Sequence, residues 1–90
     1  MLKLFYLTNC PYCRQAFRAM EELYEENPSW RSLSIEKIEE SREPAIADSY
    51  DYYYVPTIFR ENEKLYEAHP GESYRECKEN LRKVFERVIG

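Results

Sequence analysis

No stretch of the chain approaches the roughly 18 consecutive apolar residues that a membrane-spanning helix requires, so a membrane reading has no candidate segment. Residues 1–7, Met-Leu-Lys-Leu-Phe-Tyr-Leu, are too few for a secretory signal and lack a small-residue cleavage site. They read as a strand, and the expected localisation is cytoplasmic. A basic stripe is missing as well: the net charge is -4, and Lys and Arg are interleaved with Glu, as at Glu36-Lys37, Glu63-Lys64 and Lys78-Glu79. Phosphate backbones and anionic membrane surfaces need clustered positive charge, so neither nucleic acid nor membrane is an expected partner. Cysteine is scarce and odd in number, three in all, which does not suit a stapled secreted scaffold, and lasting structural disulfides are rare in the cytosol. Beyond Cys10 and Cys13 the only further soft ligands are Cys77 and His69. They do not form the second close pair that a structural zinc site uses, so no metal site is expected. Internal repeats, linkers and low-complexity tracts are also absent.

What remains is a chain of 90 residues with 43% hydrophobic and 33% charged residues, the balance of a folded domain. A single domain over residues 1–90 is expected. At this size about 60% of the unfolded surface is buried, enough for one modest core.

The apolar run of residues 2–7 suits a strand buried on both faces. From Pro11 a helical pattern begins. Cys13, Ala16, Phe17, Met20, Leu23 and Tyr24 recur on one face, with Arg14, Arg18, Glu21, Glu22 and Glu25 on the other. Asn27-Pro28 ends it. Residues 32–38 alternate as a second strand with Glu36 outward. Residues 39–50 read as a second helix, with Ser41 as its cap and Pro44 in its first turn. Residues 55–59 form a third strand, and residues 61–63 a turn. Residues 64–68 form a fourth strand, giving a hairpin over 56–68. After Pro70-Gly71, the residues Tyr74, Cys77, Leu81, Val84, Phe85 and Val88 mark a closing amphipathic helix. Strands alternating with helices imply parallel pairing, with the late hairpin adding an antiparallel edge. The expected fold is α/β, a four-stranded mixed sheet flanked by three helices in the order βαβαββα.

Cys10-Pro11-Tyr12-Cys13 sits where the first strand ends and the first helix begins. Thiol–disulfide exchange proceeds through a thiolate. A helix N-terminus offers unpaired N–H groups and the positive end of the dipole, and both favour the anion. Cys10 falls at the cap and Cys13 one turn inside. Cys10 is therefore the expected nucleophile and Cys13 the resolving thiol that attacks the mixed disulfide. Pro11 suits the first turn, where its missing N–H would be unpaired anyway.

Val55-Pro56-Thr57 is the second signal. Proline removes a ladder donor from a strand, and X–Pro is the one bond where a cis peptide is cheap. Together with the cysteine pair and the element order, a cis Val55–Pro56 bond is expected. It would turn the Val55 backbone outwards to hold an extended substrate by strand-like hydrogen bonds.

Taken together, Cys10-Pro11-Tyr12-Cys13 after the first strand, Val55-Pro56-Thr57 before the third and the terminal amphipathic helix resemble the glutaredoxin and thioredoxin-like family over nearly the whole chain. Cys-Pro-Tyr-Cys is similar to the dithiol glutaredoxin site. The resemblance implies a thioredoxin-like fold and a thiol–disulfide oxidoreductase that reduces protein disulfides or glutathione mixed disulfides. Cys10 and Cys13 would be its catalytic residues, and Pro11, Tyr12, Val55, Pro56 and Gly71 its substrate-binding residues. No bound cofactor is implied, and glutathione is a possible electron donor. Two stretches depart from the glutaredoxin pattern: Leu7-Thr8-Asn9 carries no basic residue, and His69-Pro70-Gly71-Glu72-Ser73 retains one glycine of the usual pair. The expected reductant is therefore either glutathione or a flavoprotein of the thioredoxin-reductase type. A monomer is expected. The alternatives are an iron–sulfur or zinc carrier, or a redox-inert binding module on the same fold.

Cys77, on the apolar face of the last helix, reads as a buried inert thiol. His69 reads as a solvated loop residue. Tyr50, Tyr52, Tyr53 and Tyr54 crowd the approach to Pro56, either packing on the core or offering a contact surface.

Overall fold

The computed structural model describes residues 1–89. Strand β1 is Leu2–Tyr6, helix α1 Pro11–Glu26, and strand β2 Ile35–Glu39. A short helix α2, Pro44–Asp48, precedes the hairpin of β3, Thr57–Arg60, and β4, Glu63–Glu67, and helix α3 is Tyr74–Ile89. The four strands form one sheet in the order β2-β1-β3-β4. β1 runs parallel to β2 and antiparallel to β3, with Leu2 opposite Ile35 and Phe5 opposite Thr57.

Alternation along β1 decides the layering. Leu2 and Leu4 enter one core, while Phe5 points into another on the opposite face. The larger core lies under α1 and α3, where Ala16, Met20 and Leu23 meet Leu81, Val84 and Phe85. Phe85 is fully buried between the stacked ring of Tyr24 at 5.7 Å and the edge of Trp30 at 5.5 Å. Burying a side chain of that size contributes about 1.5–3 kcal/mol. The smaller core gathers Phe5, Ile38, Ala47 and Phe59, with Tyr50 and Tyr52 against them.

Three local expectations change. Residues 28–32 form a 3-10 helix that seats Trp30, so β2 begins at Ile35. The second helix contracts from residues 39–50 to Pro44–Asp48, because Glu39 completes β2 and its carboxylate captures both the N–H and the hydroxyl of Ser41, at 2.7 and 2.6 Å. Ser41 therefore caps nothing, and Glu43 precedes the helix without a side-chain cap bond. Only β1 and β2 are parallel; β3 returns antiparallel to β1. A five-residue helix rises about 7.5 Å, too little to carry the chain back along a strand of about 16 Å. The chain therefore stays at one end of the sheet and β3 runs back from there.

That end is where the connection after β1, the approach to β3 and the exit from β4 converge. Among the described residues no helix is long and apolar enough to cross a membrane.

Candidate active site

Cys10 is the N-cap of α1. Its backbone is extended, at φ -102° and ψ 118°, and its Sγ accepts the N–H of Cys13 at 3.2 Å. Sulfur thus fills the role that a Ser or Asp oxygen usually plays at a helix start. The Cys10 carbonyl accepts the Arg14 N–H at 3.0 Å, and Pro11 occupies the first turn. The cap bond and the helix dipole both direct positive potential at Cys10 Sγ. The first turn of α1 holds no acidic residue to oppose it.

Cys13 differs from Cys10 by one turn and by burial. Only 1% of it is exposed, whereas Cys10 is half-buried. Burial pushes the Cys13 thiol up to about 12, reinforced by its bond to Cys10 and by the charges of Cys10 and Glu40. Cys10, Cys13 and Cys77 are all free cysteines.

The Val55–Pro56 peptide is cis, as expected. The Val55 carbonyl accepts the Cys10 thiol at 3.8 Å. Behind it, Pro56 is buried and its carbonyl accepts the Ala68 N–H at 3.0 Å, while Thr57 Oγ1 donates to the Tyr66 carbonyl at 2.7 Å. These bonds fix the proline segment to the end of β4.

Tyr12 and Gly71 meet directly: the Gly71 N–H donates to the Tyr12 hydroxyl at 2.7 Å. Gly71 has φ +81°, the left-handed region that glycine adopts without strain. Ser73 and Glu76 form a reciprocal capping box at the start of α3, with both bonds at 3.1 Å. The N–H groups of Gly71 and Ser73 are thus already paired within the chain. Cys10, Cys13, Val55, Pro56, Tyr12, Pro11 and Gly71 all gather at the same end of the sheet.

Three supporting residues escaped sequence reading. Gln15 Nε2 donates to the Glu72 carbonyl at 3.1 Å, a second tie between α1 and the 69–73 turn; its position three after Tyr12 was the available clue. Glu72 is 3% exposed, and its carboxylate accepts Tyr66 Oη at 2.6 Å and Asn80 Nδ2 at 3.0 Å; nothing in the sequence marks it as buried. Glu39 accepts Thr8 Oγ1 at 2.8 Å, bracing the turn before Cys10. Its bonds to Ser41 and Thr8 hold its carboxyl down at about 2.

The remaining residues fall as follows. Cys77 is fully buried beneath the Tyr66 hydroxyl, and burial raises its thiol. His69 is exposed and lies 3.4 Å from Glu76. Tyr50 and Tyr52 pack on Phe5 and Phe59, whereas Tyr53 and Tyr54 stand exposed. Among the described residues no group of three or more His, Cys, Asp or Glu is placed to hold a metal ion.

No protein-family model matches the chain, and no curated protein matches it in sequence. Solved structures do match in shape. Thioredoxin 1 from the thermophilic eubacterium Thermosipho africanus superimposes with a TM-score of 0.59 at 14% identity, over 99% of this chain and 98% of that one. The zinc-bound form of human ERp44 superimposes with a TM-score of 0.57 at 20% identity, over 93% of this chain and 26% of that one. The chain has the thioredoxin-like fold. Within it, a Cys-x-x-Cys pair caps the first helix and faces a cis-proline segment.

Proposed function

We propose that the protein is a dithiol thiol–disulfide oxidoreductase of glutaredoxin-like type, acting as a single domain over residues 1–90. The observation that carries this reading is the cap bond from the Cys13 N–H to Cys10 Sγ, made beside the Val55 carbonyl. It places one half-buried sulfur at the helix N-terminus, where it receives a backbone N–H, with a second sulfur buried one turn inside the helix.

In the first step the Cys10 thiolate attacks one sulfur of a substrate disulfide. A Cys10–substrate disulfide forms, the substrate S–S bond breaks, and the departing thiolate takes a proton. The Val55 backbone holds the substrate strand during attack. In the second step Cys13 loses its proton and attacks Cys10 Sγ. The Cys10–Cys13 disulfide forms and the second substrate thiol leaves. The substrate gains two electrons and the pair loses two. The high proton affinity of Cys13 suits this order. Part of it comes from its bond to Cys10 and the charge of Cys10, and both vanish once Cys10 is in a mixed disulfide.

The substrates are protein disulfides or glutathione mixed disulfides. The pair is recharged by glutathione or by a flavoprotein of the thioredoxin-reductase type, with no bound cofactor and in the cytoplasm, as a monomer. The test is reduction of insulin and of a small glutathione mixed disulfide by the prereduced protein. Both activities are expected, and Cys10→Ser is expected to abolish them. Full activity in that variant would refute Cys10 as nucleophile.

A further inference from the structure

Helix α1 is charged against its own dipole. Its N-terminal half carries Arg14 and Arg18, and its C-terminal half Glu21, Glu22, Glu25 and Glu26. Cations are unfavourable near a helix N-terminus and anions near its C-terminus, so helix stability does not account for this arrangement.

The acidic half is largely matched within the molecule: Glu21 meets Arg31, Glu22 and Glu26 meet Lys78, and Glu26 meets Arg82. The basic half is not. Among the described residues no carboxylate lies within 4.0 Å of Arg14 or Arg18, although acidic residues outnumber basic ones by 17 to 13. Both arginines are exposed, and with Pro11 and Gln15 they line an open cavity of about 370 Å³ that begins one residue from Cys10. Arg18 is held in place by the Tyr74 ring, its guanidinium carbon 4.3 Å from the ring centroid. Stacking of this kind leaves the guanidinium N–H edge free for a carboxylate.

We infer that this flank of α1 selects protein disulfides whose half-cystine is followed or preceded by carboxylates, an inference that rests on the dithiol reading of Cys10. From Pro11 to Arg18 the helix rises about 10 Å, the span of about three extended residues. A strand that lies on the Val55 backbone, crosses Cys10 and follows α1 from Pro11 would pass both arginines within that span. Opposite charge at the rim accelerates encounter and suppresses wrongly charged partners.

The test uses disulfide peptides that differ only in two residues beside one half-cystine, Glu-Glu against Lys-Lys, reduced by the prereduced full chain in single turnovers. The acidic peptide is expected to react about tenfold faster at low salt, with the ratio falling towards one as salt rises. In the double variant Arg14→Gln, Arg18→Gln the ratio is expected to fall to about one, and Arg14→Lys, Arg18→Lys is expected to restore most of it. A general effect of the two cations on Cys10 would change both peptides alike, so the ratio isolates docking. A ratio of one in the unaltered protein, or one that survives in the Gln variant, overturns the inference. So does oxidised glutathione reacting as fast as the acidic peptide with the same dependence on Arg14 and Arg18, because the cations then serve a small thiol. Neutral hydroxyethyl disulfide separates the two readings: if it too is not reduced, the dithiol reading itself has failed.

Discussion

The amide of Gly71 donates to the hydroxyl of Tyr12 at 2.7 Å, joining the turn before α3 to the residue between the two cysteines. With Gln15 bonded to the Glu72 carbonyl and Ala68 to the Pro56 carbonyl, residues 68–72 connect both halves of the candidate site. Tyr12→Phe removes one neutral bond at a half-buried site, so the stability cost is expected to be at most about 1 kcal/mol. Hydrogen exchange is the informative readout. The Gly71 amide is expected to exchange faster in the variant while amides in the middle of α3 are unaffected.

Cys13 makes stability depend on alkaline pH. Its folded-state value of about 12 lies above the ordinary 9.0, so between these values the folded state holds a proton that the unfolded state has lost. The contribution is fully present below about pH 9 and is lost as pH rises towards 12. The slope from this one group is at most about 1.4 kcal/mol per pH unit. Denaturant midpoints of the reduced protein are expected to fall across that window. The oxidised protein and Cys13→Ser, which have no Cys13 proton to hold, are expected to fall less steeply.

Glu39 acts in the opposite direction. Its carboxyl is held at about 2 rather than 4.5 by bonds to Ser41 and Thr8. The stability it contributes is present above about pH 4.5 and is lost as pH falls towards 2. Thermal midpoints are expected to decline over that range in the unaltered protein, and Glu39→Gln is expected to flatten the decline.

Where the sequence carries a strong local pattern, structure follows it. The 3.6-residue spacing of Cys13, Ala16, Met20 and Leu23 defines the buried face of α1, and the spacing of Cys77, Leu81, Val84 and Phe85 that of α3. Cys10 at the cap and Pro56 after a cis bond were legible because cysteine at a strand-to-helix junction and proline at a strand start each limit the backbone. Residues 39–50 were misread because Pro44 and the alanines signal a helix, while the carboxylate of Glu39 holds Ser41 in a turn that composition does not reveal. The pairing of β3 with β1 depends on how far the preceding connection travels, which the pattern of elements leaves open. Glu72 was invisible for a related reason. A glutamate is usually solvated, and its burial exists only once Tyr66 and Asn80 arrive from two other elements.

Trapping the mixed disulfide decides the chemistry. Cys13→Ser removes the resolving thiol, so a protein disulfide attacked by Cys10 stays attached. Incubation of that variant with insulin, followed by mass spectrometry of peptide fragments, is expected to show the adduct on Cys10, released by added thiol. An adduct on Cys77, or none on Cys10 under conditions where the unaltered protein reduces insulin, would contradict the assignment of Cys10 to attack and Cys13 to resolution.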